Sequence, residues 1–349
     1  MAPQTSKEYY LPKQGSYKDF QTRDVPVPKP KANEVLVRVH AVSLQYRDLA
    51  ISKGSYDIGR RENIVPCSDM AGEVVSVGID VKDWKAGDRV CSNFSTELVA
   101  GPPTPETVAA SLGGQADGVL TQYKVFPAYS LVKIPSHLNY VQASTLPCAA
   151  VTAYNALLGG SNPLKAGDYV VVLGTGGVSI FALQFAVASG AIVIATSSSD
   201  EKLKVAAKLG ARHLINYQKT PNWEDEVEKI TGGRGADHVV EVGGAGTLLK
   251  SLASVRLGGN VPLVGFIAAS DTKDDSTVFT IITKAIDLRG VCVGSVAQFK
   301  DMNRLIEAHP DKTVPLVDKV FAYDDVISAY AHLESQKHVG KVVIEVAKV

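Results

Sequence analysis

From Tyr169 to Ser199 the chain carries no charged side chain, although Asp168 and Asp200 bracket the stretch directly. An apolar run of this length raises the question of a membrane span. Gly174-Thr175-Gly176-Gly177 and Ser189-Gly190 answer it, because they cut the run into pieces of strand and helix length. The stretch reads as a buried strand, a glycine turn, a buried helix and a second strand, the opening of a parallel sheet covered by helices.

The turn Gly174-Thr175-Gly176-Gly177-Val178-Ser179 has the context that a dinucleotide needs. The first glycine permits the tight turn, the second lets backbone N–H groups approach a pyrophosphate, and the helix N-terminus supplies positive potential. Ser179 stands where a third glycine is expected and is read as loosening the helix–strand packing slightly. A bare glycine-rich turn between strand and helix is the plain alternative. The second strand ends in Thr196-Ser197-Ser198-Ser199, where an NAD site offers an acid to the ribose hydroxyls. Ser197, Ser198, Lys202 and Tyr217 instead suit a 2′-phosphate, so NADPH is expected over NADH. The same serines also read as caps of a helix beginning near Asp200.

Residues 1–150 alternate with period two around turns, in Glu34–His40, Gly72–Gly78, Gly87–Cys91 and Gly118–Phe126, which predicts a mostly antiparallel, partly closed sheet. Beyond about residue 145 strands and helices alternate. Strands are predicted at Tyr169–Leu173, Ala191–Thr196, His213–Tyr217, His238–Val242, Val261–Val264 and Leu288–Val293. Helices are predicted at Val178–Ala188, Glu201–Leu209, Trp223–Thr231 and Thr247–Val255. The 36 basic and 36 acidic residues are spread evenly over both parts, so neither part has a basic footprint for nucleic acid or an anionic membrane. The four cysteines, at 67, 91, 148 and 292, are too scattered for a disulfide framework. A cytoplasmic protein is expected, with no nucleic-acid or membrane partner.

Six segments in order carry a resemblance: Asn33-Glu-Val-Leu-Val-Arg-Val39, Ser68-Asp-Met-Ala-Gly-Glu-Val-Val-Ser-Val-Gly78, Ala86-Gly-Asp-Arg-Val90, Leu146-Pro-Cys-Ala-Ala-Val-Thr-Ala-Tyr154, Gly174-Thr-Gly-Gly-Val178 and Val339-Gly-Lys-Val-Val343. Over essentially its whole length the chain resembles the medium-chain dehydrogenase/reductase family. The resemblance implies an α/β fold in which a GroES-like, partly closed β-barrel catalytic domain joins a Rossmann doubly wound parallel-sheet domain. The expected boundaries are 1–150 for the catalytic domain, 151–292 for the NADP-binding domain and 293–349 for the return to the catalytic domain. It also implies an active site in the cleft between the domains and a homodimer formed through the last Rossmann strand.

Many members of the family hold a catalytic zinc, and its three ligand positions correspond here to Gln45, Ser68 and Cys148, with Asp69 beside Ser68. One thiolate cannot hold zinc alone. Residues 91–118, where a four-cysteine structural site would lie, contain only Cys91. The resemblance is therefore to the zinc-free, quinone-oxidoreductase-like branch, and no metal is expected.

Without a Lewis acid, hydride must go to an acceptor that is already electrophilic, such as an enal, an enone or a quinone. Tyr46 is the expected proton donor, with packing or a cofactor phosphate contact as its alternative. Gln45 and Ser68 are read as donors to the substrate oxygen. Asp48 falls at a family carboxylate position, or else pairs with Arg47 or another base. The resemblance places Thr152 against the nicotinamide, and Gly265, Val293 and Lys341 near the cofactor, with Lys341 on its phosphates or in an ordinary structural role. Carbonyl reduction or alcohol oxidation, enoyl-thioester reduction, and NADPH binding without turnover remain as alternatives.

Overall fold

The protein is described from a computed structural model covering residues 3–56, 61–265 and 276–347. Its chain forms two compact units, one of Met1–Val151, Gly294–Glu307 and Val314–Val349, the other of Thr152–Val293 with Ala308–Thr313. The short excursion at 308–313 into the second unit is not foreseen by the sequence, which sends everything after residue 292 back to the first.

The first unit is built on the strand Glu34–Ser43, whose Val35, Val37 and Val39 are wholly buried. Asp69–Val77 pairs antiparallel with it along one edge. Its other edge is divided: Tyr123–Pro127 pairs with residues 34–38, and Lys341–Glu345 with residues 41–43. The sheet continues through Arg89–Ser92 to Leu131–Lys133 on one side and through Val317–Ala322 on the other. The C-terminal strand is thus an integral part of a sheet begun 300 residues earlier. Phe126, Leu131, Met70 and Tyr330 fill the core beneath it, each burial contributing on the order of 2 kcal/mol. A hairpin of Thr5–Tyr10 and Gln21–Pro26 forms a separate two-stranded sheet, joined to residues 120–122 by backbone hydrogen bonds of Lys7 and Tyr9.

The second unit is a sheet of six parallel strands: His213–Asn216, Ile192–Ser197, Tyr169–Leu173, Ala236–Val240, Val255–Leu263 and Asp287–Gly290 in spatial order. Numbered along the chain this is 3-2-1-4-5-6, so the strand order reverses between Tyr169–Leu173 and Ala236–Val240. Asp237 helps to join these two strands, accepting the Tyr169 N–H at 2.9 Å while paired with Arg234 and Arg256. The glycine turn after Leu173 lies at this switch point, where such sheets place a ligand. Asp287–Gly290 closes one end of the sheet. The nearby helix Ser276–Thr283 leaves Val278, Phe279 and Ile282 between 64% and 70% exposed.

No helix among the described residues is long and apolar enough to cross a membrane. The stretch 169–199 contributes Tyr169–Leu173, Gly177–Ala188 and Ile192–Ser197, buried inside the second unit.

Candidate active site and cofactor cradle

Three chain segments meet at one end of the first unit's sheet. Ser43 pairs with Asp69 on one side and with Val343 on the other, which brings Asp69, Lys341 and the residues following Ser43 together. The chain then turns into the helix Tyr46–Ser52 with Gln45 as its N-cap, and the Gln45 N–H donates to Asp48 Oδ2 at 2.8 Å. Just before Asp69, Cys67 is buried in the left-handed region at φ 68°. The backbone of Gly118 lies so close that a Cβ there would sit 2.1 Å from the Cys67 carbonyl oxygen. Only glycine at 118 lets that segment rest on the turn that aims Ser68.

Asp69 is the hub. Its Oδ2 accepts from Gln45 Nε2 at 2.5 Å and from the Cys148 backbone N–H at 3.0 Å, and its Oδ1 accepts from Ser68 Oγ at 2.6 Å. Cys148 lies in the π-helical turn Leu146–Ala150, whose first N–H groups have no partner of their own within the helix. The Asp69 carboxylate caps that helix start. Lys341 is 3% exposed and donates to the Leu44 carbonyl. Its ammonium acts on Asp69 through space, since no direct ion pair joins the two.

Burial dominates the electrostatics. It raises the Asp69 carboxyl to about 7, against the opposing pull of Lys341 and the Ser68 hydroxyl. It raises Asp48 to about 6, against Arg47 and the Gln45 N–H. It lowers Lys341, against the attraction of Asp69 above all. The Cys148 thiol is pushed up, first by burial and then by Asp69. Asp48 Oδ1 is buried without a hydrogen-bond partner, and no ion pair with Arg47 forms.

These residues do not fit a zinc ion. The three positions that the sequence relates to metal ligands hold an amide, a hydroxyl and a single thiol, while the adjacent carboxylate already has three donors and a nearby ammonium. Among the described residues no group of three or more His, Cys, Asp and Glu is placed to hold a metal.

Four expectations change with this geometry. Ser68 is wholly buried and its one hydroxyl proton is committed to Asp69, so it does not donate to a substrate oxygen. Gln45 commits one of its two amide N–H bonds to Asp69 as well. Asp48 is 2% exposed and positions Gln45 rather than touching a substrate. Lys341 faces the acid cluster from inside the sheet, and burial keeps its amine from a cofactor phosphate. Tyr46, by contrast, is 39% exposed.

In the second unit Gly174 has φ 73°, and a Cβ at either Gly174 or Gly176 would meet no atom within 4 Å, so open space lies in front of this turn. Gly176 caps the helix Gly177–Ala188; Thr175 is buried in the turn and Val178 is half-buried in the helix's first turn. Ser179 tightens the packing instead of loosening it, because its Oγ donates to the Leu173 carbonyl at 2.7 Å inside the core. The backbones, fold and chemistry of this turn fit a dinucleotide pyrophosphate.

Ser197 and Asn216 are paired in neighbouring strands, and the Tyr217 N–H donates to the Ser197 carbonyl at 3.1 Å, so Tyr217, 41% exposed, stands beside the serines. Ser199 caps the helix Asp200–Lys208 by accepting the Lys202 N–H, which leaves Ser197 and Ser198 outside the cap. Sequence reasoning missed Asn216 and Lys219, which hold the Asp200 carboxylate at this same edge. Gly265 is required by its neighbour, as a Cβ there would lie 1.8 Å from the Val242 carbonyl oxygen. Val293 has φ 51°, and its carbonyl accepts from Asn155 Nδ2 at 2.7 Å, while Arg289 holds Asn155 from the other side. Thr152 is buried on the helix Val151–Leu158.

The role of Asp69 was also underestimated. An acid directly before the apolar Met70-Ala71 at the start of a strand was the available signal, since such a residue is buried only with partners.

Residues 31–136 match the family model of the alcohol dehydrogenase GroES-like domain, and residues 177–308 match that of the zinc-binding dehydrogenases. A zinc-type alcohol dehydrogenase-like protein of Schizosaccharomyces pombe is 47% identical over 321 residues, covering 91% of this chain and 92% of the relative. An NAD-dependent alcohol dehydrogenase of Sulfurisphaera tokodaii is 28% identical over 349 residues, with 94% and 96% covered. Among solved structures, a protein assigned as an alcohol dehydrogenase from Sinorhizobium meliloti 1021 superposes with a TM-score of 0.91 at 37% identity, covering 99% of this chain and all of the other.

Proposed function

The chain belongs to the medium-chain dehydrogenase/reductase family, and from that premise we propose that it is an NADPH-dependent, zinc-independent oxidoreductase acting on an activated C=C bond or a quinone. The observation that carries the reading is the state of the former ligand positions. Gln45 and Ser68 donate to Asp69, and the buried Lys341 acts on the same carboxylate through space. A site so arranged has no Lewis acid of its own, which favours acceptors whose conjugation already spreads the developing charge.

The bound dihydronicotinamide supplies the hydride. The glycine turn Gly174–Val178 would hold its pyrophosphate, with Thr152, Gly265 and Val293 as the proposed contacts of the nicotinamide half. Ser197, Ser198, Lys202 and Tyr217 are proposed to bind the 2′-phosphate. No acid stands at position 197 to accept the ribose hydroxyls of NADH, and Asp200 is already neutralised by Lys219. The remaining N–H of Gln45 orients the acceptor oxygen. Tyr46, alone of the four candidate catalytic side chains in being exposed, donates the proton that completes reduction.

Two further parts of the reading rest on separate features. A homodimer through the edge strand Asp287–Gly290 would cover Val278, Phe279 and Ile282; a monomer in sedimentation at micromolar concentration counts against it. The free thiols of Cys67, Cys91, Cys148 and Cys292 suit the reducing cytoplasm, which fractionation tests.

The experiment for the main reading is anaerobic NADPH consumption over enones, quinones and aldehydes with product identification. A saturated ketone from an enone supports it. An allylic alcohol from the same enone would favour carbonyl reduction instead.

A further inference from the structure

Glu241, which the proposed chemistry does not use, is wholly buried directly after the strand Ala236–Val240. Its Oε1 accepts the Gly243 and Gly244 N–H groups at 2.7 and 2.8 Å and the Thr247 hydroxyl at 2.6 Å, and its Oε2 accepts the Ser251 hydroxyl at 2.5 Å. A carboxyl group is costly to bury unless hydrogen bonds replace its water, and these four bonds all come from the segment that follows it. The loop closes tightly on the carboxyl. Gly244 has φ 91°, and a Cβ on Gly243 would lie 2.3 Å from Thr247 Oγ1 and 3.3 Å from Glu241 Oε1, so both glycines belong to the wrap around Glu241.

The main chain of Glu241 fixes the neighbouring segment as well. Its carbonyl accepts the Val264 and Gly265 N–H groups at 2.8 and 3.2 Å, and its N–H donates to the Pro262 carbonyl at 3.0 Å. One residue thus sets the chain where it leaves the sheet after Val240 and again after Leu263. The strand register says what lies beside it. Val240 is paired with Val172, so one step further along both strands Glu241 stands level with Leu173, the last residue before the glycine turn. Residues 242–247 therefore border the open space in front of that turn. In a doubly wound sheet the strands that carry the glycine turn hold the adenosine half of a dinucleotide, and those beyond the switch point hold the nicotinamide half. Glu241 follows the first strand of that second set.

We propose that Glu241 is a positioning residue for the nicotinamide half of the cofactor, holding residues 242–247 and Gly265 as the wall on which that half rests. The inference rests on the dinucleotide binding of the proposed function, and not on its choice of substrate or of NADPH over NADH. Glu241 does not touch the cofactor. It fixes the backbone of the wall beforehand, so that little ordering is left to be done on binding.

The test is isothermal titration of the full chain with NADPH and with 2′,5′-ADP, which has the adenosine half and its phosphates but no nicotinamide. Glu241→Ala is expected to weaken NADPH about tenfold or more and to leave 2′,5′-ADP within about twofold, since the bonds lost hold only the wall of the other half. Glu241→Gln keeps an acceptor oxygen for Gly243, Gly244 and Thr247 and offers an N–H to the Ser251 hydroxyl, so it is expected to recover most of the loss. Thr247→Val removes one tie, is expected to weaken NADPH about threefold while sparing 2′,5′-ADP, and serves if Glu241→Ala does not fold. Equal losses for the two ligands would make Glu241 a strut for the whole sheet, and a lower Tm with unchanged NADPH affinity would make it a strut for its loop alone; either overturns the proposal. In a chain that prefers NADH, the same split between NADH and ADP supports the proposal and defeats only the choice of NADPH. Binding of neither dinucleotide by the unaltered protein defeats both.

Discussion

Ser68 donates its one hydroxyl proton to Asp69 Oδ1 at 2.6 Å, and both residues are wholly buried. The sequence relates Ser68 to a metal-ligand position, and its bond to Asp69 makes that position part of a hydrogen-bonded cluster. Lys341 completes the cluster from the C-terminal strand, so the two ends of the chain are coupled electrostatically as well as by strand pairing.

That coupling is measurable by a double-mutant cycle. Asp69→Asn leaves the Lys341 ammonium buried without its main counter-charge, and Lys341→Met leaves Asp69 without its own. Each single change is expected to cost about 3–5 kcal/mol in urea unfolding. The double variant should recover part of that loss, with a coupling on the order of 2 kcal/mol; simple additivity would show that the two charges do not interact.

The raised carboxyls predict a pH dependence of stability. Asp69 titrates near 7 and Asp48 near 6 in the folded chain, against 3.8 ordinarily, so between those values the native state binds more protons than the unfolded one. Their contribution is fully present below about pH 4, falls as pH rises through 6 to 7, and is flat above. The slope is at most about 1.4 kcal/mol per pH unit for each group. Subtracting the curve of Asp69→Asn from that of the unaltered protein isolates its share; a difference that does not change with pH would contradict the assignment.

The proposed function puts cofactor choice at the edge formed by Ser197, Ser198, Lys202 and Tyr217. Lys202→Ala should weaken NADPH binding about tenfold or more and NADH binding at most about twofold, since only the former has a phosphate for the amine. Ser198→Asp, which adds a repelling acid, should shift preference toward NADH. Equal losses for both cofactors in isothermal titration would remove the phosphate role.

Ser179→Gly restores a three-glycine turn and is nonetheless expected to destabilise. It removes the buried bond to the Leu173 carbonyl and adds the entropy of a helical glycine, each worth about 1 kcal/mol. Chemical denaturation showing a gain in stability would mean that the hydroxyl contributes nothing.

The fold was legible where the hydrophobic period was clean. Tyr169–Leu173 and its neighbours follow directly from apolar runs broken by glycine, and the glycine turn lies at the switch point that its motif requires. Legibility failed where partners come from distant segments. Nothing near Lys341 in sequence says that its amine will be enclosed beside the strands begun at Glu34 and Asp69, so a contact with cofactor phosphate and an ordinary structural role read equally well there. Ser179 was misread for a similar reason: a motif position says that a residue is small, while the hydroxyl's acceptor, the Leu173 carbonyl, emerges only from the turn's geometry. Gln45 and Ser68 were read as donors and do donate, but to a different acceptor, which a third residue, Asp69, supplies.

The central claim is that the cluster of Gln45, Ser68, Asp69 and Lys341 supports reduction without a metal. The direct measurement is elemental analysis and NADPH-dependent enone or quinone reduction on one purified sample, before and after prolonged treatment with a strong chelator. The account predicts far less than one zinc per chain and a rate that the chelator leaves unchanged. One tightly held zinc per chain, with activity lost on its removal and regained on its return, would contradict it.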